Sequence, residues 1–140
     1  MSFDKRIVID TSTLIGSLLK PDSIPRQAFL YAMANATLCV SPATLEELEV
    51  VLMRDKFDRY LDQESRCIFF QQYRSASLLF PVTELETNVI TPPCRDPRDN
   101  KFLALALHCS AHMLISSDDD LLVLNPWQNI PILTPVQFLP

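Results

Sequence analysis

A single glycine, Gly16, stands in the whole chain of 140 residues. Phosphate-cradling loops and dinucleotide fingerprints need clustered glycines to let the backbone approach the ligand, so both are excluded. Histidine is nearly as scarce, with only His108 and His112. They stand at i, i+4 around Cys109, but His112 falls where the turn into the next strand is expected. Surface or core-edge roles are therefore the expectation for both, and neither has an evident nucleophile to activate. The four cysteines, Cys39, Cys67, Cys94 and Cys109, form no C-x-x-C pair. That speaks against a zinc ribbon or a disulfide framework and for reduced, mostly buried thiols.

Long apolar runs are missing as well, since charge or proline interrupts each well short of the ~18 residues of a membrane span. Met1 to Arg6 leads straight into a strand without the pattern of a signal peptide, so a cytoplasmic address is expected. Positive charge is in short supply: 12 Lys and Arg stand against 17 Asp and Glu, a net charge of -5. Bulk electrostatic gripping of nucleic acid is excluded on that balance, while binding of phosphates through metal ions is not.

What is present is apolar and patterned. With 48% hydrophobic residues, the chain is expected to fold as one domain spanning residues 1–140 around a real core. Arg6-Ile7-Val8-Ile9-Asp10-Thr11-Ser12 reads as a strand buried on both faces that stops on a carboxylate and two hydroxyls. Thr37 to Val40 is a second apolar run, and Met113-Leu114-Ile115-Ser116-Ser117 a third that ends on Asp118-Asp119-Asp120. Weaker, peripheral strands are expected at Phe80-Pro81-Val82 and Ile130 to Leu133, with a further short one at Asn88-Val89-Ile90.

Between them the spacing predicts helices: one after the Ser23 cap and closed by Asn35, one from Pro42 to Met53, one capped by Asp62 and running to Leu79, and one from Phe102 to Cys109. A short helix over 13–19 and a helical turn over 121–124 complete the series. Alternating strands and helices imply right-handed βαβ units. The expected fold class is α/β, with a mostly parallel central sheet of about five strands.

In such a sheet, strand ends and the amino ends of the following helices share one edge. Asp10 and Asp118 end strands, Asp99 opens the helix leading to the Asp118 strand, and Glu47 lies about a turn and a half into the helix after the second strand. Four acids thus have a geometric reason to meet. Each has a plainer role open to it: Asp99 and Asp118 would serve as helix caps, and Glu47 as a solvated helix residue. Asp10 is harder to explain that way, because a charge at the end of a buried strand is costly without a partner.

Clustered carboxylates repel unless cations neutralise them, and an oxygen-only ligand set suits Mg2+ or Mn2+. Such ions bind a phosphodiester, activate water and stabilise the leaving oxygen, and a pair of them ~3.5–4 Å apart is a recurrent hydrolytic arrangement.

Four segments in order carry a family likeness: Val8-Ile9-Asp10-Thr11-Ser12-Thr13-Leu14; Ser41-Pro42 to Glu47-Leu48; Cys94-Arg95-Asp96-Pro97-Arg98-Asp99-Asn100-Lys101; and Leu114-Ile115-Ser116-Ser117-Asp118-Asp119-Asp120. The chain resembles PIN-domain ribonucleases over nearly its whole length, and more closely the bacterial VapC-like toxin components of toxin–antitoxin systems. The resemblance implies a three-layer α/β/α sandwich. It also implies a catalytic, metal-binding set of Asp10, Glu47, Asp99 and Asp118, and metal-dependent cleavage of single-stranded RNA. A cognate antitoxin and a homodimer are the partners it suggests.

Asp96 and Asp120 correspond to accessory acids that support or replace a ligand. Ser12 departs from the pattern, since the family commonly has asparagine there. Its hydroxyl still donates to a carboxylate, so weaker orientation of Asp10 is expected and not loss of the site. Arg54, Lys56 and Arg59, and Arg95, Arg98 and Lys101, are candidate RNA contacts or ordinary solvated charge, and Lys101 would equally neutralise the acids.

Rival classes fit less well. An aspartyl phosphatase needs a second Asp where Ser12 stands, and a receiver domain needs a phosphoaccepting Asp on a middle strand that is absent. The alternative that keeps the same fold is a PIN-like module that binds RNA or protein without cutting. For an antitoxin helix, the expected groove lies near Ile24, Phe29 and Leu52.

Overall fold

β-Branched and leucine-rich tripeptides build the centre of the molecule. A computed structural model of the chain describes residues 5–140, and the first four residues, part of the segment expected to carry no leader, lie outside them. Strands β1 (Arg6–Ile9), β2 (Thr37–Val40), β3 (Leu78–Leu79), β4 (Met113–Ile115) and β5 (Ile132–Leu133) form one sheet. Their order is β3-β2-β1-β4-β5, and every pairing is parallel.

The period-2 alternation of side chains sends successive residues to opposite faces. Ile7, Ile9, Leu38, Val40 and Ile115 pack with α1 (Thr11–Leu19), α2 (Ile24–Asn35), α3 (Pro42–Leu52) and α4 (Gln63–Ala76). Val8, Cys39, Leu114 and Ile132 face the other way, against α6 (Asn100–His108), α7 (Asp119–Leu122) and Trp127. The three layers expected for the fold are therefore present. Both faces are dry, which is why the strands read as unbroken apolar runs. Leu114, fully buried in β4, would cost about 2–5 kcal/mol if cut to alanine.

Helix starts follow the expected caps. Ser23 accepts from Arg26 N, Asp62 from Ser65 N, and Ser41 forms a reciprocal capping box with Thr44 ahead of Pro42. Helix ends and short segments differ from expectation. The helix capped by Asp62 stops at Ala76, where the Ser77 hydroxyl turns back onto Tyr73 O at 2.7 Å. Leu78–Leu79 then form β3, two residues earlier than the strand expected at Phe80–Val82. Pairing continues only through Phe80 N, which donates to Val40 O, before Pro81 removes the next donor.

The strand expected at Asn88-Val89-Ile90 is replaced by α5 (Glu84–Asn88). Its cause was visible: Thr83 and Glu86 form a capping box, which nucleates a helix at that point. Cys39, Cys94 and Cys109 are buried free thiols and Cys67 an exposed one. Among the described residues no helix is long and apolar enough to cross a membrane.

Candidate active site at the carboxyl edge of the sheet

The strand order turns at β1, whose neighbours β2 and β4 lead to opposite edges. Parallel sheets open a crevice beyond the strand ends at such a reversal. Asp10 directly follows β1, and Asp118 follows β4 by three residues. A cleft of about 380 Å³ lies there, lined by Asp10, Glu47, Asp99 and Asp118. Ser12, Asp96, Arg54, Lys56, Phe57 and Arg98 line it too. Asp120 and Arg95 are not among the lining residues.

Asp10 is 3% exposed and fully engaged. Its Oδ1 accepts from Thr13 N at 2.9 Å, as the N-cap of α1, and from Ser12 Oγ at 3.3 Å; its Oδ2 accepts from Ser116 Oγ at 2.5 Å. Burial pushes its carboxyl above the usual range, while those hydroxyl and amide donors pull it back down. Ser116 Oγ also accepts from Asp118 N at 2.9 Å, so one buried hydroxyl ties the first acid to the turn bearing the fourth. The sequence signal for Ser116 is a strand ending on a hydroxyl two residues before an acid. Thr11 was equally unassigned: its hydroxyl donates to Glu47 Oε2 at 2.5 Å.

Glu47 has a second partner, since Lys101 Nζ donates to its Oε1 at 2.9 Å, with both side chains about one-fifth exposed. Lys101 thus occupies the neutralising role, facing an acid. Asp118 caps α7, accepting from Asp120 N through Oδ1 at 2.9 Å. Asp99 precedes α6 but makes no side-chain cap bond, which removes the capping role for it. Its Oδ2 is buried with no hydrogen-bond partner. Burial first, then contact with Asp118, pushes the Asp99 carboxyl up to about 7, with Asp96 and Glu47 adding to the effect.

The remaining charges divide. Arg98 grips Asp96 through two nitrogens, at 2.9 and 3.2 Å, and holds that carboxyl below its usual range. Lys56 Nζ lies 5.2 Å from the centre of the Phe57 ring, and the Arg59 guanidinium sits 5.0 Å over Tyr60. The histidines go separate ways, as expected: His108 Nδ1 pairs with Glu86 Oε2 at 2.6 Å, and His112 Nδ1 accepts from Arg6 N at 3.0 Å.

The donor set is all carboxylate oxygen, and the orphaned Asp99 Oδ2 beside Asp118 fits a hard divalent cation. As the side chains stand, no three His, Cys, Asp or Glu residues among those described are drawn together into a ready ligand set. Away from the cleft, an apolar groove of about 750 Å³ runs between α2 and α4, lined by Leu18, Phe29, Leu30, Met33, Ile68 and Phe69 among others. Phe29 lies in it as expected. Leu52 is fully buried in the core and Ile24 lies outside the lining, which corrects the expected position of the groove.

The sequence relations agree with this architecture. A protein of Methanocaldococcus jannaschii described as uncharacterized, MJ1680, is 31% identical over 124 residues, covering 85% of this chain and 74% of that one. The fold is similar to a chain in the crystal structure of VapBC2 from Rickettsia felis bound to a DNA fragment from their promoter. That likeness has a TM-score of 0.62 at 11% identity and covers 92% of this chain and 98% of that chain. A chain of the DNA-bound VapBC from Salmonella typhimurium is similar with a TM-score of 0.58 at 15% identity, over 94% of this chain and 98% of that chain. At those identities the structural likeness speaks for the fold. Residues 6–120 match the family described as PIN domain, and with that match, the relative and the sheet order together, the chain belongs to the PIN-domain family.

Proposed function

We propose that the protein is a Mg2+- or Mn2+-dependent endoribonuclease that cleaves single-stranded RNA, with Asp10, Glu47, Asp99 and Asp118 as metal-holding residues. The observation that carries this reading is the buried, partnerless Asp99 Oδ2 beside Asp118, in a cleft that Asp10 and Glu47 also line. A buried carboxylate oxygen without a partner is expensive, and a cation, like a bound proton, offsets that cost. When bound, a divalent ion there supplies Lewis acidity toward a phosphodiester and a water of lowered pKa.

The chain's own residues do the rest. Ser116 and Thr13 fix the orientation of Asp10, and Thr11 that of Glu47. Arg54, Lys56 and Arg98 in the cleft lining offer charge to the phosphates of a strand whose bulk approach the net charge of -5 does not favour. Asp96 is held by Arg98 and serves by keeping that cation in place, Asp120 supports Asp118 through its backbone amide, and Arg95 is a further RNA contact. Residues 1–140 are read as a single PIN-like domain.

VapBC complexes among the structural relatives, and the apolar groove between α2 and α4, support a cognate antitoxin as partner. An amphipathic helix is the ligand such a groove suits. Co-expression with a neighbouring reading frame is expected to give a stable complex.

The Lys101–Glu47 ion pair, with no ready set of three ligands among the described residues, favours a second reading: a module that binds RNA without cutting. Incubation of the purified chain with labelled single-stranded RNA and Mn2+, beside Asp10→Asn and Asp118→Asn, decides between them. Cleavage by the wild type alone supports the nuclease. Equal cleavage by all three would sink it, and binding without cleavage would favour the module.

A further inference from the structure

Arg66 lies on α4, away from the four acids, and is the most deeply buried charged side chain among the described residues, with none of its surface exposed. A buried guanidinium is retained only where its donors are met, because the desolvation cost is several kcal/mol. Here they are met almost entirely by one stretch of chain. Nη1 donates to Leu52 O at 2.7 Å and to Arg54 O at 3.1 Å, Nε to Asp62 O at 3.4 Å, and Nη2 forms an ion pair with Asp58. Leu52 is the last residue of α3, so Arg66 places positive charge on the open carbonyls of that helix end.

The stretch it gathers is the wall of the cleft. Arg54, Lys56 and Phe57 line that wall, and the backbone of Arg54 is itself one of the anchored groups. α3, whose end is tied, also carries Glu47. We infer that Arg66 is a positioning residue: it holds the 52–58 connector so that Arg54 and Lys56 face the incoming strand. This rests on the reading of the cleft as the binding site for an RNA phosphodiester. Arg66 touches neither substrate nor the acids and acts through the cleft cations.

Asp58 gives access to the device, because its side chain is 54% exposed and is the acid paired with Arg66. In Mn2+-supported cleavage of a labelled oligoribonucleotide, Asp58→Asn is expected to raise KM about three- to tenfold with kcat within about twofold. Asp58→Glu, which keeps the charge, is expected to restore most of the affinity. In an Arg54→Gln/Lys56→Gln background the same Asp58→Asn change is expected to add less than about twofold, since the groups it positions are gone.

A wild-type KM in Asp58→Asn, or the full factor persisting in the neutralised background, would overturn the inference while leaving the nuclease reading intact. No cleavage by the wild-type chain would overturn both, and is told apart because the unmodified protein itself fails.

Discussion

Asp10 and Asp99 line the same cleft from different layers of the molecule and are held in opposite ways. Asp10 sits at the end of β1 with donors on both oxygens from Thr13, Ser12 and Ser116. Asp99 stands before α6 with a buried oxygen that meets nothing and a neighbour, Asp118, of its own sign. Both have been lifted above the ordinary carboxylate range by burial, but only Asp10 has hydroxyls set against that cost. The difference teaches where the site is finished and where it is waiting: the β1 acid is orientated by the fold, and the α6 acid requires a proton or a cation.

The largest effect that tests this contrast is expected from Asp10→Ala. It removes the α1 cap and strands the Ser116 hydroxyl, so cleavage should fall at least about a hundredfold and stability by about 2–3 kcal/mol. Denaturant unfolding beside the cleavage assay checks both. A variant that loses activity at unchanged stability would break the claim that Asp10 is structurally held.

Asp99→Asn is expected to lose activity to a similar degree yet melt no lower than the wild type, because it relieves the repulsion with Asp118. The pH dependence has a definite sign. The folded Asp99 carboxyl lies near 7 and its ordinary value is 3.8, so the folded state binds the extra proton more tightly. Its contribution to stability is complete below the ordinary value and is lost as pH rises through about 7. In metal-free buffer, the melting advantage of Asp99→Asn should therefore be least below about pH 4, grow steadily as pH rises, and be largest near about pH 8. A constant difference would contradict the assignment.

The smallest effect belongs to Ser12→Ala. Its hydroxyl is the longest of the Asp10 contacts, at 3.3 Å, and Ser12 is exposed. Less than about 0.5 kcal/mol and less than about threefold in rate are expected, within the range of ordinary surface substitutions. A larger loss would mean that Ser12, and not Ser116, orients the acid.

These contrasts mark how far the sequence could be read. Strand identity and the parallel order were legible because β1, β2 and β4 are apolar on both faces, a pattern with few other meanings. βαβ geometry gave Asp10, Glu47, Asp99 and Asp118 a reason to lie at one sheet edge, and all four line the cleft there, though no three among the described residues are drawn into a ready ligand set. The Leu78–Leu79 strand was not legible, since two leucines after a helix continue its apolar spacing and the helix ends through Ser77, whose backbone is extended and whose hydroxyl donates to Tyr73 O. The helix at Glu84–Asn88 was legible in principle, from the Thr83–Glu86 box. Ser116, Thr11 and Arg66 escaped because their partners are 106, 36 and up to 14 residues distant. Contacts of that kind leave no local period in the chain.

The central claim is that the carboxylates of this cleft hold a divalent cation and that Asp99 is where its absence is felt most. The most direct test is the melting temperature of wild type and Asp99→Asn at about pH 7.5, with and without Mn2+. An ion binding only the folded state adds about 2.7 kcal/mol at a hundredfold excess over Kd. The account predicts a rise of several degrees in the wild type that is abolished in Asp99→Asn. An equal rise in both proteins, or none in either, would contradict it.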